Sequence, residues 1–202
     1  MQKRNNGNAV TSIMLVGVGG LGILLTTRIL SDVIIAENFD LKISEIHGMA
    51  QRGGSVHTMV RYGQKVYSPM ICRGEADFIL ALELLEALRW VDYLSPSGIL
   101  VASKQCINPL PVAMGWKEYP DVLGHLHHLS SRLIAIDPLE LAKKAGSLRG
   151  ANLVMLGALA GLLSFPPEKW EKAIKRRVRP ETVEFNLQAF GLGWNRVREL
   201  KS

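Results

Sequence analysis

The sequence predicts an α/β domain in which helices cover both faces of a mostly parallel sheet. Three observations support this. Residues 12–25 form an apolar run that ends abruptly in glycines and continues at helical spacing. Residues 76–82 and 99–103 are further apolar runs of strand length, and the residues after Pro138 have helical spacing. Because 48% of the 202 residues are hydrophobic, we expect one substantial core and a single domain over residues 1–202.

The glycines after the first strand are predicted to form a phosphate-binding turn. They fit G-x-G-x-x-G, in which missing Cβ atoms allow a tight turn and let the backbone approach a phosphate closely. The predicted helix over residues 21–37 directs its unpaired N–H groups and positive dipole end to the same place. The alternative is that the glycines serve packing alone. The candidate cofactor-binding residues are Gly17, Gly19, Gly20 and Gly22.

A second candidate binding loop follows the second predicted strand, residues 41–46. Glu45 stands near the position at which a dinucleotide-binding half-domain places the acid that holds the ribose hydroxyls. The next residues are polar, where a crossover helix would normally begin. Arg52 precedes two glycines and offers a cation beside exposed N–H groups, although an ordinary turn with a surface charge has the same composition. The candidate residues of this loop, for substrate or coenzyme binding, are His47, Gln51, Arg52, Gly53, Gly54 and Ser55.

The remaining elements are predicted to complete a doubly wound, Rossmann-like, mostly parallel sheet with a β-hairpin insertion and C-terminal helices. The hairpin joins an alternating strand, residues 56–62, to residues 66–69. Two strand–helix units and a last strand at residues 132–137 continue the parallel pattern. Residues 108–128 contain several prolines and glycines and are expected to be irregular. The predicted later helices are residues 83–94, 139–145, 151–163, 167–177 and 181–200, the last four forming a helical portion over about 138–202.

One of these helices has an unusual composition. Residues 151–161 are apolar and small on nearly every side. A helix without a polar face requires burial, so we expect it inside the core or at an interface with another subunit.

The net charge of +6 is compatible with nucleic acid, an anionic cofactor or an acidic protein partner. Much of the charge lies in residues 169–179, which match no recognised nucleic-acid motif. We therefore expect no nucleic-acid binding, and a solvated helix face is favoured over the docking of an acidic partner.

The two cysteines, Cys72 and Cys106, lie far apart and predict neither a disulfide framework nor a metal clip. A reduced, cytoplasmic location is expected, without export or a membrane anchor, because Arg28 interrupts the first apolar run before it could span a bilayer. An iron–sulfur cluster needs about four thiolates and would have to lie on another chain. The histidines of residues 125–128 lack carboxylate or cysteine partners at useful spacing, so no metal site is predicted.

No catalytic motif stands out. The chain has no nucleophile elbow, no P-loop lysine, no H-E-x-x-H and no Ser/His/Asp set that spacing would select. We therefore assign no catalytic residue to this chain alone. The residues predict a binding domain whose chemistry is supplied by a cofactor or a partner.

Several stretches together resemble the gamma-type subunits of the 2-oxoacid:ferredoxin oxidoreductases. These are the glycine turn at residues 17–22, the loop at residues 44–56 and residues 66–77. The string HGMAQRGGSV, residues 47–56, is similar at ten consecutive positions to the beta subunits of the indolepyruvate type. The resemblance extends to Phe190 and so covers nearly the whole chain. One departure is Leu21, because the family more commonly has glutamine between these two glycines.

The resemblance implies an activity, a set of cofactors and a partner subunit. The enzymes decarboxylate a 2-oxoacid oxidatively with coenzyme A as co-substrate. Thiamine diphosphate, Mg and [4Fe-4S] clusters are implied to reside on the partner subunit, from which electrons pass to ferredoxin. The scarcity of cysteines agrees with this division. The chain would then be the small subunit of a hetero-oligomer, inactive alone, with the loop around Arg52 near coenzyme A or the bound intermediate and the glycine turn near a phosphate-bearing part.

Other interpretations remain open from the residues. The substrate could be an arylpyruvate such as indolepyruvate, or pyruvate, 2-oxoisovalerate or 2-oxoglutarate. The glycine turn also resembles that of the ATP-dependent enzymes that activate ubiquitin-like proteins, but the chain lacks their zinc clip of paired cysteines. A free-standing NAD(P) oxidoreductase would need a catalytic arrangement that is missing. A stand-alone nucleotide- or coenzyme-binding module is the non-enzymatic alternative.

Overall fold

A six-stranded sheet forms the centre of the protein, in the order β2-β3-β1-β4-β5-β6. The computed structural model describes residues 10–47 and 53–200, with the side chain of His47 outside the description. The strands are β1 Thr11–Val18, β2 Asp40–His47, β3 Ser55–Gly63, β4 Ala76–Ala81, β5 Leu94–Ser103 and β6 Leu133–Ile136. The helices are α1 Ile23–Ala36, α2 Leu84–Trp90, α3 Leu110–Ala113, α4 Val122–Leu129, α5 Pro138–Lys144, α6 Ala151–Ala160, α7 Pro167–Arg177 and α8 Val183–Glu199.

The sheet is mostly parallel, as the sequence predicts. β1 pairs in parallel with β4, β4 with β5, and β5 with β6. β3 lies between β1 and β2 and is antiparallel to both. The predicted α/β fold with an antiparallel insertion is therefore confirmed.

The strands that form this antiparallel insertion differ from the predicted ones. The strand at residues 56–62 pairs with β2 and β1, and residues 66–69 do not form its hairpin partner. Side chains take the place of strand pairing there, because the Val66 amide donates to the Asp40 carboxylate at 2.8 Å and Arg61 donates to the Ser68 and Met70 carbonyls at 3.3 and 2.9 Å. The segment is therefore held beside β2 and β3 by side-chain hydrogen bonds and does not pair as a strand.

The insertion also changes the expected role of Glu45. In a dinucleotide-binding half-domain, the strand that carries the ribose-binding acid lies next to the first strand. Here β3 occupies that position, and Glu45 lies on β2, paired with Thr58. Glu45 is exposed at the edge of the sheet, one strand removed from β1. The expectation that it holds a ribose beside the glycine turn is wrong.

Both faces of the sheet are covered, which is the doubly wound arrangement. Residues from α1, α5, α6, α7 and α8 pack with one face in a core that includes Leu15, Val60 and Val101. Residues from α2 and α4 pack with the other face against Met14, Met59 and Leu100. Because successive strand residues point to opposite faces and both faces are covered, the middle of each central strand, residues 13–16, 78–81 and 99–102, is apolar on both sides.

The apolar helix α6 lies in the core of this chain rather than at a subunit interface. Residues 153–160 are buried, and α6 packs directly against α8. The two backbones approach closely because a Cβ on Gly157 would overlap the Phe190 carbonyl oxygen, and one on Gly193 would overlap that of Val154. Small residues at the crossing thus determine the fit between the two helices.

Helix α7 carries most of the basic stretch, and two of its cations hold it against α1. Arg177 makes two 2.6 Å hydrogen bonds to Asp32, and Lys169 forms a 2.8 Å ion pair with Glu37. Trp170, also on α7, is completely buried. Some basic residues of α7 therefore make ion pairs within the chain, and the others form a solvated face.

The stretch expected to be irregular, residues 108–128, contains two helices. α4 begins after Asp121, whose carboxylate accepts a hydrogen bond from the Gly124 amide at 3.0 Å. Leu126 and Val122 bury its apolar side. The aspartate after Pro120 is an N-cap signal, which outweighs the local glycine content.

Candidate functional site

The predicted binding residues gather at one edge of the sheet. β1, β4, β5 and β6 all end there, and β3 begins there because it runs in the opposite direction. In open α/β sheets this carboxyl edge is where ligands bind. The glycine turn and the end of the second candidate loop are therefore neighbours in space.

The glycine turn has the backbone geometry that its sequence predicts. Gly20 and Gly22 have φ angles of 103° and 84°, values that side chains of L residues rarely adopt. The Leu21 amide donates to the Val18 carbonyl at 3.1 Å, which closes the turn. A Cβ on Gly17 would lie 3.1 Å from Ile23 Cδ1, so Gly17 serves the close packing of helix and strand. Among the described residues, none has an atom within 4 Å of a Cβ placed on Gly20.

The N-terminus of α1 follows the turn directly. The Thr26 amide is the first to bond within the helix, to the Gly22 carbonyl at 3.0 Å, so the amides of Ile23, Leu24 and Leu25 have no intrahelical acceptor. In the described part of the chain no side chain caps this end, and its first turn carries no acidic residue. Such an end attracts an anion through its N–H groups and dipole.

Hydrogen bonds join the two candidate loops to each other. The Gly19 amide donates to the Gly54 carbonyl at 2.9 Å, and the Gly53 amide donates to the Gly19 carbonyl at 3.4 Å. One residue further on, Val18 pairs with Ser55 in the β1–β3 ladder. We call these contacts of Gly19 with Gly53 and Gly54 the glycine junction. The structure thus brings together two stretches that the sequence analysis treated separately.

Part of the second loop lies outside the described residues. Gln51 and Arg52 belong to that part, and His47 ends β2 with its side chain undescribed. Gly53 has a φ of 77°, and a Cβ there would meet no atom within 4 Å. Ser55 begins β3 and is half-buried.

A buried carboxylate supports Ser55, and the sequence analysis did not select it. Glu86, on α2, is 4% exposed and accepts the Ser55 hydroxyl at 2.5 Å, Arg89 Nε at 3.0 Å and Trp90 Nε1 at 3.3 Å. Glutamate at this spacing from arginine looks like an ordinary surface pair on a helix. A polar residue on the side of α2 that faces the sheet was the signal that could have revealed it.

An aromatic contact continues the same surface along β3. The His57 and Trp90 rings lie 4.1 Å apart, and Trp90 also packs against Tyr93. Burial lowers the pKa of His57, and the negative charge of Glu86 opposes that shift. His57 is therefore favoured as a neutral ring stacked on α2.

A second buried glutamate caps α2. Glu83 is 1% exposed, and its carboxylate accepts the Glu86 amide at 2.9 Å, the Ile107 amide at 3.0 Å and the Tyr119 hydroxyl at 2.8 Å. Burial and the hydrogen bond to Glu83 raise the pKa of Tyr119 above its usual value. This cluster ties the segment after β5 to the start of α2.

The described residues offer little for a metal. Over residues 10–47 and 53–200, no group of three histidine, cysteine or acidic side chains could hold an ion. His125, His127 and His128 lie on α4, where His125 contacts the Asp121 carbonyl. In the same part of the chain, no helix is long and apolar enough to cross a membrane.

One known family matches most of this chain. The model of the pyruvate ferredoxin/flavodoxin oxidoreductase family matches residues 12–196, which include both candidate loops. The chain belongs to the pyruvate ferredoxin/flavodoxin oxidoreductase family. The resemblance found in the sequence is thereby confirmed.

Particular relatives narrow the comparison. The indolepyruvate oxidoreductase subunit IorB of Archaeoglobus fulgidus is 37% identical, covering 92% of this chain and 94% of the relative. IorB of Thermococcus kodakarensis is 35% identical, covering 94% and 96%. Among solved structures, the keto/oxoacid ferredoxin oxidoreductase gamma subunit of Geobacter sulfurreducens has a TM-score of 0.70 at 24% identity, covering 94% of this chain and 99% of that one.

A longer enzyme contains the same fold. The 2-oxoglutarate:ferredoxin oxidoreductase of Magnetococcus marinus, whose structure holds 2-oxoglutarate, coenzyme A and succinyl-CoA, has a TM-score of 0.63 at 21% identity. The match covers 94% of this chain and 31% of that chain. At this identity the likeness establishes the fold alone.

Proposed function

We propose that this chain is the small subunit of an indolepyruvate:ferredoxin oxidoreductase and supports coenzyme A-dependent oxidative decarboxylation of arylpyruvates. The observation that carries the proposal is identity of 35–37% with IorB subunits over almost the full length of both chains. The absence of a catalytic set in the sequence fits a subunit that acts with a partner. We propose that residues 1–202 form one gamma-type domain.

In this proposal the carboxyl edge of the sheet binds coenzyme A. The positive φ of Gly20 and the first amides of α1, which have no acceptor within the helix, suit a phosphate-bearing part of the coenzyme. Gly53 and Gly54, joined to Gly19, bring the second loop to the same place. His47, Gln51 and Arg52 are proposed to complete the site, with Arg52 supplying the positive charge. Ser55 belongs to the same loop, but its hydroxyl donates to Glu86, so its side chain is proposed to support the loop rather than to contact the coenzyme.

The reacting groups are proposed to lie on a large partner subunit. Thiamine diphosphate with Mg²⁺ supplies the electron sink for decarboxylation there, and [4Fe-4S] clusters carry electrons to ferredoxin. This chain would hold and orient the acyl acceptor beside that centre. Cys72 and Cys106 are exposed, unpaired thiols, which suits the reducing cytoplasm as the proposed compartment.

The test is co-expression with the proposed large subunit, followed by an assay of viologen dye reduction that depends on indolepyruvate and coenzyme A. We expect activity only when both chains are present. The large subunit alone is the control. Full activity of that subunit alone, or failure of the two chains to co-purify, would contradict the proposal and favour a stand-alone coenzyme-binding module.

The substrate is tested in the same assay. Indolepyruvate, pyruvate, 2-oxoisovalerate and 2-oxoglutarate are compared by kcat/KM. We expect the arylpyruvate to be used best. A preference for 2-oxoglutarate would instead assign the chain the activity named for the Magnetococcus enzyme of the same fold.

Arg52 is tested by charge reversal in the assembled complex. We expect Arg52→Glu to lower kcat/KM for coenzyme A by at least about tenfold, because it removes a charge-assisted bond and introduces repulsion. The matched control is Arg73→Glu, at an exposed arginine that precedes β4. Unchanged turnover of the Arg52 variant would exclude Arg52 from the site.

A further inference from the structure

Glu86 is a buried carboxylate that the proposed binding site does not yet explain. It is 4% exposed and lies between α2 and the first residue of β3. Its Oε2 atom accepts the Ser55 hydroxyl at 2.5 Å and the Trp90 indole at 3.3 Å, while Oε1 accepts Arg89 at 3.0 Å. Both oxygens are therefore occupied by donors, and one of these donors belongs to the sheet.

The strand end that Glu86 holds is the end that forms the glycine junction. Ser55 pairs with Val18 at the last position of the β1–β3 ladder. The preceding residue, Gly54, accepts the Gly19 amide, and Gly53 donates to the Gly19 carbonyl. Apart from this Ser55–Val18 pairing, the glycine junction is held by backbone hydrogen bonds between glycines. Glycine has more conformational freedom than any other residue, so these positions need support from their neighbours.

Stability alone is a weak reason for a carboxylate at this position. Burying a charge costs free energy that its hydrogen bonds only partly recover, and apolar replacements of similar volume are often as stable. The neighbouring contact on the same strand, His57 on Trp90, already packs α2 against β3. A carboxylate adds what an apolar side chain cannot, a directional bond that fixes one hydroxyl and its strand end.

We propose that Glu86 is a positioning residue, which acts through Ser55 to hold the glycine junction in the geometry that receives coenzyme A. The inference deepens the proposed function and rests on it for the identity of the ligand. Glu86 itself touches neither the coenzyme nor the reacting atoms. Its bond to Ser55 sets the distance between the backbone of Gly53–Gly54 and the glycine turn at Gly19.

The first test is Glu86→Gln in the co-expressed complex, which keeps the size of the side chain and removes its charge. We expect KM for coenzyme A to rise about tenfold, because a charge-assisted hydrogen bond is exchanged for a neutral one and binding is weakened equally in ground and transition states. kcat should stay within about twofold, and KM for the 2-oxoacid should not change.

A second variant approaches the same bond from the strand. Ser55→Ala should reproduce the rise in KM for coenzyme A, whereas Ser55→Thr, which keeps the hydroxyl, should restore it to within about twofold. The double variant should be no worse than either single one, since both remove the same contact. Independent, additive effects of the two changes would overturn the proposal.

The matched control is Glu83→Gln on the same helix. Glu83 is also buried and accepts three hydrogen bonds, but its donors are the amides of Ile107 and Glu86 and the Tyr119 hydroxyl rather than the Ser55 hydroxyl. We expect its KM for coenzyme A to remain near that of the wild type, with thermal unfolding recorded for all variants. A rise in KM that matches that of Glu86→Gln would reduce Glu86 to a structural residue.

The outcomes separate this inference from the proposed function. If the wild-type complex shows no dependence on this chain, the proposed function fails before any variant is measured. If the wild-type complex works and both Glu86→Gln and Ser55→Ala bind coenzyme A normally, only the positioning role fails. Should Glu86→Gln not assemble, the Ser55 pair decides, because it leaves α2 unchanged.

Discussion

Single glycines at the carboxyl edge serve different purposes. Gly17 packs against Ile23 and Leu82, so its missing Cβ serves the fold. Gly20 has a φ of 103°, and no atom of the described residues lies within 4 Å of where a Cβ would stand, so the packing around it does not require glycine. The motif G-x-G-x-x-G therefore combines a packing residue with one that packing does not require, and only the structure distinguishes them.

Gly20→Ala tests the second of these positions. We expect a loss of about 1–2 kcal/mol in the free energy of unfolding from the positive φ, together with a higher KM for coenzyme A in the complex. The matched control is Gly146→Ala, at a φ of 93° with nothing within 4 Å, after α5. Urea unfolding should show similar losses for the two variants. Equal effects on coenzyme A binding would place Gly20 outside the site.

Tyr62 makes the stability of the protein sensitive to alkaline pH. Burial raises its pKa to about 12, and its ring packs with Phe39 and Phe165. Because the folded pKa exceeds the unfolded value near 10, this stabilisation is complete below pH 10 and is lost as pH rises from 10 towards 12, at up to about 1.4 kcal/mol per unit. Urea unfolding at several pH values should show a shallower decline for Tyr62→Phe. Parallel curves for the two proteins would contradict this account.

Pairs of elements are fitted by their smallest residues. Helices α6 and α8 cross where Gly157 faces Phe190 and Gly193 faces Val154, with no room for a Cβ on either glycine. Hydropathy predicts that α6 is buried but does not identify its partner. The contact depends on matching positions of α8, which lie far along the chain.

Two glycines of α8 test this crossing. We expect Gly193→Ala to lower the free energy of unfolding by about 3 kcal/mol, because the new Cβ would overlap the α6 backbone. Gly191→Ala, two residues away, meets no atom within 4 Å and should stabilise the helix by about 0.5–1 kcal/mol. Equal changes in chemical denaturation would show that the helices can move apart.

Elements with strong local signals were predicted well from the sequence. The helix predicted over residues 167–177 is observed as Pro167–Arg177, and the strand predicted over 76–82 is observed as Ala76–Ala81. Pairing was harder to predict, because alternation at residues 56–62 identifies a strand but not its neighbours. β3 lies next to β1 because of pairing between residues that are distant in the sequence. This pairing also separates β2, and Glu45 on it, from β1.

At the scale of the whole molecule, burial decreases from the central strands of the sheet to its edge strand β2. Ile13 of β1 and Leu80 of β4 are completely buried, with paired strands on both sides. β2 is an edge strand, and Ile43 and Ile46 on it are exposed. The candidate loops were recognisable from sequence, but the supporting Glu86 was not, because its link to the site is Ser55, which lies on a different element, β3.

Hydrogen exchange of the isolated chain should follow this gradient. We expect the slowest exchange in β1 and β4, whose amides open only with global unfolding, and faster exchange in β2, which frays from the edge. Peptide-resolved mass spectrometry measures it, with α6 as an internal standard for buried amides. Equal protection of β2 and β1 would show that the sheet opens as one unit.

The glycine junction has a further consequence for proteolysis. The Gly19 amide is hydrogen-bonded to the Gly54 carbonyl, so the segment between them, which contains α1 and β2, begins and ends at the same place in the fold. A ligand that contacts both ends of this segment would act as a reversible crosslink. By mass action it would suppress the local unfolding that a protease needs in order to cleave the segment. Cleavage between the two glycines would then report occupancy of the site without any turnover.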